Sequence, residues 1–190
     1  MALLLIGLVL FFGIHSLSMI SPGTRERLVL KLGEGPYKGL YSLIALAGLV
    51  LLIYGYGDTR IDPTVLYTPP SWLRHINMLL VLIAFIAFVA TYLPGRINGT
   101  LKHPMLVAVK AWALGHLLVN GTLADVLLFG TFLIWAVADR ISLKRRQPRP
   151  IPMVPATRFN DVLVIVAGLG FYVVFAVWLH PALIGVRVIG

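Results

Sequence analysis

The chain contains no cysteine. That excludes disulfides, cysteine-ligated iron–sulfur clusters and a thioether-attached haem, so any haem would be held non-covalently. Charge is scarce too. Asp, Glu, Lys and Arg make up 12% of the 190 residues, against 59% hydrophobic. A soluble domain of this size needs far more polar surface, so the chain reads as a membrane protein, with room for one compact bundle spanning 1–190. Acidic residues are rarest of all, seven against sixteen Lys and Arg, for a formal charge of +9. In a soluble protein that excess would suggest nucleic acid. Here the basic residues lie in loops between apolar runs, and no basic stripe interleaves with aromatics. They set topology and meet anionic headgroups, and no nucleic-acid partner is expected. Met1 to Met19 has neither a basic n-region nor a small-residue cleavage site, and reads as a retained helix rather than a signal peptide. There is no internal repeat.

What the sequence has in quantity is apolar runs. Six stand out: Ala2–Met19, Tyr37–Tyr56, Trp72–Leu93, Pro104–Val119, Thr122–Ala138 and Val162–Leu179. Each approaches the ~20 residues that cross a bilayer as a helix. Breakers separate them, including Pro22-Gly23, Pro69-Pro70, Pro94-Gly95 and the proline-rich stretch Pro148 to Pro155. The Asn120-Gly121 turn predicts a hairpin of the fourth and fifth helices. The expected fold is an all-α, polytopic transmembrane bundle of about six helices. Loop charge gives its orientation. Arg25, Arg27, Lys31, Lys38, Arg96, Lys102, Arg140, Lys144, Arg145, Arg146, Arg149 and Arg158 fall on one side, and only Arg60, Arg74 and Arg187 on the other. The positive-inside rule puts both termini outside the cytoplasm, with Tyr54, Tyr56, Tyr67, Trp72 and Trp178 in the non-cytoplasmic aromatic belt. Thr24 to Leu32 mixes Arg25, Arg27 and Lys31 with Leu28, Val29, Leu30 and Leu32. It reads either as an amphipathic helix on the inner leaflet or as a solvated loop.

Ionisable side chains inside a bilayer are costly and mark function. His15 lies in the first apolar run and His116 in the fourth. At the helical rise each is about 20 Å from its end of the span, so both are well inside the membrane. Two imidazoles on different helices raise the possibility of a shared ligand, with haem iron leading; the alternative for each is a hydrogen bond to a neighbouring helix. His103 precedes Pro104, which suits a first helical turn, and reads either as a cap or as a contact for a headgroup or haem propionate. It lies about 220° around the helix from His116, so the two cannot share one metal. Trp112, His116 and Asn120 share a face at i, i+4 spacing, and Ala113 and Gly115 would let a flat macrocycle approach the backbone. Lys110 either snorkels to the cytoplasmic edge or pairs with an anionic group. His75 and His180 sit at the ends of their runs and read as interfacial rings, solvated or backbone-bonded.

The block Lys102-His103-Pro104-Met105-Leu106-Val107, then Lys110-Ala111-Trp112-Ala113-Leu114-Gly115-His116-Leu117-Leu118-Val119-Asn120-Gly121, resembles the NnrU family. So do Leu127-Leu128-Phe129-Gly130, the run from Trp135-Ala136-Val137-Ala138-Asp139-Arg140 to Lys144-Arg145-Arg146, His15-Ser16, Tyr37-Lys38-Gly39-Leu40-Tyr41-Ser42 and His180-Pro181-Ala182-Leu183-Ile184-Gly185-Val186. The resemblance covers nearly the whole chain. It implies a bacterial inner-membrane protein associated with nitrite and nitric oxide reduction, whose own activity is not settled. The family is in turn similar to the plant zeta-carotene isomerases, which use b-type haem with two histidine ligands to isomerise a polyene. A His-Ser of their first helix corresponds to His15-Ser16. A histidine thirteen residues after that of their Arg-His-Pro corresponds to His116, with Lys102 here in place of the arginine. This nominates His15 and His116 as ligands of haem b; the carotenoid substrate does not transfer.

Three functions follow as expectations. The first is a haem b protein with His15 and His116 as axial ligands and His103, Lys110 and Trp112 around them. It would act in nitrite or nitric oxide metabolism or, if an enzyme, as a redox-gated cis–trans isomerase. The second is a non-enzymatic assembly factor for a respiratory membrane complex. The third is a membrane methyltransferase, since Lys-His-Pro resembles the His-Pro element of the isoprenylcysteine and phospholipid methyltransferases, which bind S-adenosylmethionine. Those enzymes carry acidic residues after the next hydrophobic hairpin, where this chain has Lys144-Arg145-Arg146, which argues against it.

Overall fold

The structure, a computed structural model, describes residues 1–146 and 151–188. Arg149, listed above among the basic loop residues, and Pro148 and Pro150 of the proline-rich stretch lie outside the described residues. Among those residues the regular structure is helical: α1 (Ala2–Ile20), α2 (Pro22–Leu32), α3 (Glu34–Thr59), α4 (Leu73–Ala90), α5 (Arg96–Leu101), α6 (Pro104–Leu117), α7 (Leu123–Ser142), α8 (Asn160–Val174), a wider π-helical turn over Phe175–Leu179, and α9 (His180–Ile184). Among the described residues four helical stretches are long and apolar enough to cross a membrane: α1, α3, α4 and the continuous Asn160–Ile184. The fold is thus the expected all-α, multi-pass architecture.

Several boundaries differ from expectation for physical reasons. Thr24 to Leu32 is helical, within α2: Pro22 occupies its first turn, and Gly33 ends it with a positive φ of 85°. A further short helix, α5, fills the segment between the third and fourth apolar runs. The fourth run is helical only to Leu117. Asn120 therefore does not continue the face of Trp112 and His116; its carbonyl instead accepts a hydrogen bond from the Tyr67 hydroxyl at 2.7 Å. α7 has the length of a span but carries Asp125, Asp139 and Arg140.

The chain packs as two compact units. The first comprises Met1–Thr68 and Asn120–Ser142, the second the described residues of Pro69–Val119 and Leu143–Gly190. The expected hairpin is corrected accordingly. The Asn120-Gly121 turn joins one unit to the other, α6 packing on α4 while α7 packs on α1 and α3.

In the first unit α1 and α3 make the main contact. Lipid tails are as apolar as leucine, so helices in a bilayer associate through close van der Waals packing, which small residues permit. Gly7, Gly48 and Gly55 form that seam. A Cβ on Gly7 would lie 2.6 Å from the Leu52 nitrogen, one on Gly48 2.7 Å from the Phe11 nitrogen, and one on Gly55 would strike the Leu4 backbone. Leu4, Leu8, Phe12, Leu52 and Ala124 fill the core beside it. At the end of α3, the Tyr56 hydroxyl donates to Asp125 Oδ1 at 2.6 Å, while the Thr122 backbone N–H and hydroxyl donate to Oδ2 at 2.9 and 2.7 Å. Thr122-x-x-Asp125 is a capping box for α7. Tyr56 is consequently turned inward, unlike the exposed Tyr54, Trp72 and Trp178, which suit an aromatic belt.

In the second unit α4 is central, with α6 and α8 against it. Val89, Ala90 and Val164 form the buried core. Asp161, at the start of α8, accepts the backbone N–H groups of Arg96 and Ile97 at 3.1 and 3.0 Å, and so caps α5. Asn160 donates to the Pro94 carbonyl at 2.8 Å.

Candidate functional site

His15 sits on α1 among the aromatic rings of the first unit. Its Nδ1 is 2.6 Å from the Phe11 carbonyl oxygen, four residues back. A ring nitrogen facing a carbonyl must carry the proton, so the lone pair resides on Nε2. Nε2 has no hydrogen-bond partner among the described residues. Phe11 stacks on the imidazole with ring centroids 4.1 Å apart, and Tyr41 of α3 and Trp135 of α7 meet it edge-on at 5.4 and 6.0 Å. Trp135 is itself fixed by donating its indole N–H to the hydroxyl of buried Ser16 at 3.1 Å. The half-buried imidazole is thus held in one tautomer and one orientation, walled by apolar ring surface.

His116, in the second unit, repeats the arrangement. Its Nδ1 is 2.8 Å from the Trp112 carbonyl oxygen, again four residues back, and the Trp112 ring lies 5.2 Å away, tilted by 50°. The expected opening beside it is not where the sequence suggested. The α4 side chains Asn77 and Leu80 cover the Gly115 backbone; a Cβ there would sit 2.5 Å from Asn77 Oδ1. Ala113 is completely buried. Gly115 thus serves the α4–α6 contact, and Asn77 and Leu80 occupy the space beside its backbone.

His103 precedes α6 and makes no side-chain capping bond to it, while Pro104 takes the first turn. The preceding Lys102 has a positive φ of 59°, which a residue with a Cβ rarely adopts. Lys110 is half-buried, with no carboxylate partner among the described residues. His75 and His180 are backbone-bonded, to the carbonyls of Trp72 at 3.2 Å and Val186 at 2.7 Å. Among the described residues no three His, Asp or Glu side chains gather into a metal-binding group. A haem asks for fewer protein ligands, one or two.

Sequence reasoning missed the ring wall of His15. Tyr41 and Trp135 lie 26 and 120 residues away along the chain, and no local pattern announces such a contact. It also missed Asp125, which did have a signal in the Thr-x-x-Asp spacing before an apolar run.

A model of the NnrU family, described as NnrU protein, matches residues 3–188. No curated protein and no solved structure matches the chain.

Proposed function

The chain belongs to the NnrU family, and from that premise we propose that it is a bacterial inner-membrane protein that binds haem b through His15 and His116 and serves nitrite and nitric oxide metabolism. The observation that carries this reading is the shared setting of the two rings. Each donates from Nδ1 to the carbonyl of the residue four positions earlier. Histidines that ligate metals are prepared in this way, with the second nitrogen bonded to a carbonyl so that tautomer and ring plane are fixed. With no cysteine in the chain, imidazole is the natural donor for an intramembrane iron.

Bound haem b would supply an iron centre that changes oxidation state and, on losing one ligand, exposes a coordination position. The residues do the rest. The Phe11 and Trp112 carbonyls orient the imidazoles. Phe11, Tyr41 and Trp135 exclude water from His15. Trp112 packs beside His116, and Lys110 and His103 are the proposed contacts for the propionates. Loop charge supports a topology with both termini outside the cytoplasm, and other respiratory or denitrification membrane proteins are the proposed partners. The similarity to zeta-carotene isomerases makes cis–trans isomerisation the reaction class to assay.

The test is the visible spectrum of protein purified in mild detergent after expression with ample haem, oxidised and dithionite-reduced, beside His15→Ala and His116→Ala. A sharp Soret band with split reduced α and β bands, weakened or shifted in both variants, is expected. A colourless wild type overturns the haem reading and leaves an assembly factor as the better account.

A further inference from the structure

The basic surface of α2 takes no part in the histidine sites. This helix joins the membrane-spanning α1 and α3 and so lies at the edge of the bilayer. It packs on both through a half-buried face of Arg25, Leu28 and Val29. Arg25 fixes its rotation: the guanidinium lies 5.3 Å from the ring centroid of buried Tyr37 on α3, a cation–π distance. The opposite face is left open and carries Glu26, Arg27, Leu30 and Lys31.

That face has an ordered composition. Arg27 and Lys31 are four residues apart and lie side by side. Arg27 uses Nε on the Gly23 carbonyl at 3.3 Å, which leaves the rest of its fork pointing outward, and Lys31 has no ion-pair partner among the described residues. Leu30, next to them, is 84% exposed, and Ile20, just before the helix, is 79% exposed. Glu26 is four residues before Leu30, on the flank away from Lys31, and leaves the two cations as the anion-attracting side. Large apolar side chains pointing outward beside paired cations at the membrane edge match the headgroup–acyl boundary.

We propose that the outward face of α2 is a docking surface for anionic phospholipid, with Arg27 and Lys31 holding the phosphate groups and Leu30 entering the acyl boundary. Two cations near a charged surface, each worth several-fold in affinity, give about a tenfold preference for anionic over zwitterionic lipid. The preference fades as salt screens the surface.

The absence of cysteine makes the test direct. Leu30→Cys provides a single thiol for an environment-sensitive fluorophore. The labelled protein is placed in nanodiscs of phosphatidylcholine alone, or of phosphatidylcholine with phosphatidylglycerol, and the bound lipids are counted by native mass spectrometry. The expected result is a blue-shifted emission with phosphatidylglycerol, reversed by high salt, and an excess of retained phosphatidylglycerol that falls about tenfold in Arg27→Gln/Lys31→Gln. Identical emission in both membranes overturns the proposal and reassigns the face to water or a protein partner. An excess that survives the double variant overturns it as well. A matched Lys38→Gln variant, whose lysine is engaged with Glu34 at 2.7 Å, retains the preference if the effect belongs to α2.

Discussion

Tyr56 and Asp125 meet at 2.6 Å, hydroxyl to carboxylate, across 69 positions of sequence. The contact fastens the end of α3 to the first turn of α7, and Asp125 is left only 5% exposed. A buried carboxylate needs its lone pairs occupied, and here Tyr56 and Thr122 supply three donors. Tyr56→Phe removes one charge-assisted bond and is expected to cost about 2 kcal/mol. Asp125→Ala, which orphans every donor and removes the cap, costs more. Thermal unfolding in detergent measures both, and equal midpoints for wild type and Tyr56→Phe would count against a stabilising role for the bond.

The glycine seam gives a controlled comparison within one helix. Gly55→Ala drives a methyl into the Leu4 backbone, whereas a Cβ on Gly57 meets nothing within 4 Å. Gly55→Ala is expected to destabilise by roughly 1–3 kcal/mol through overpacking. Gly57→Ala is expected to be neutral or to stabilise by up to about 1 kcal/mol from helix propensity. The same melts report both, and the seam loses its significance if the two variants behave alike.

Asp161 caps α5 from a distance in sequence. Asp161→Ala leaves two N–H groups at the first turn without an acceptor, so α5 frays. Arg96 opens that helix and Lys102 follows it, which makes trypsin the natural reporter. Cleavage at these sites is expected to accelerate several-fold in Asp161→Ala, while Asp161→Asn, which keeps an acceptor oxygen, falls between. An unchanged digestion pattern would show that the helix holds without its cap.

Tyr67 gives a pH dependence. Its phenol is pushed above the ordinary tyrosine value, first by burial and then by the nearby Asp125 carboxylate. The folded protein therefore keeps the proton longer than the unfolded chain does. The associated stability is fully present below the unfolded phenol value near 10 and is lost as pH rises past it toward the folded value. Tyr67→Phe is expected to lower the midpoint at neutral pH, because the bond to the Asn120 carbonyl disappears, yet to flatten the alkaline decline. Parallel curves for wild type and variant between pH 8 and about 11 are the outcome that refutes this.

Most helices were legible because each apolar run is bounded by prolines, glycines or charge, and the spans need little more than length. Pairing was not legible. The Asn120-Gly121 turn looks like a hairpin, but a short turn fixes only chain direction, and the small residues that choose partners do so through contacts far apart in sequence. Gly115 shows the same limit. Beside His116 it reads as space for a ligand, and Asn77, 38 positions earlier in the chain, takes that space. His15 and His116 themselves were visible because a lone imidazole in an apolar run is conspicuous, whereas the rings that wall His15 are ordinary membrane residues until the fold gathers them.

The seam between α1 and α3 also constrains how the chain can change through descent. At Gly7, Gly48 and Gly55 the nearest atom in the way of any larger residue is a main-chain atom of the facing helix. A clash between two side chains can be relieved by shrinking the partner, but no substitution at Leu4, Phe11 or Leu52 removes a peptide nitrogen. Genetic suppressors of a lesion at these glycines should therefore arise away from the facing residue, wherever a change lets one whole helix slide or tilt. The three positions form an interface that reciprocal substitution cannot repair.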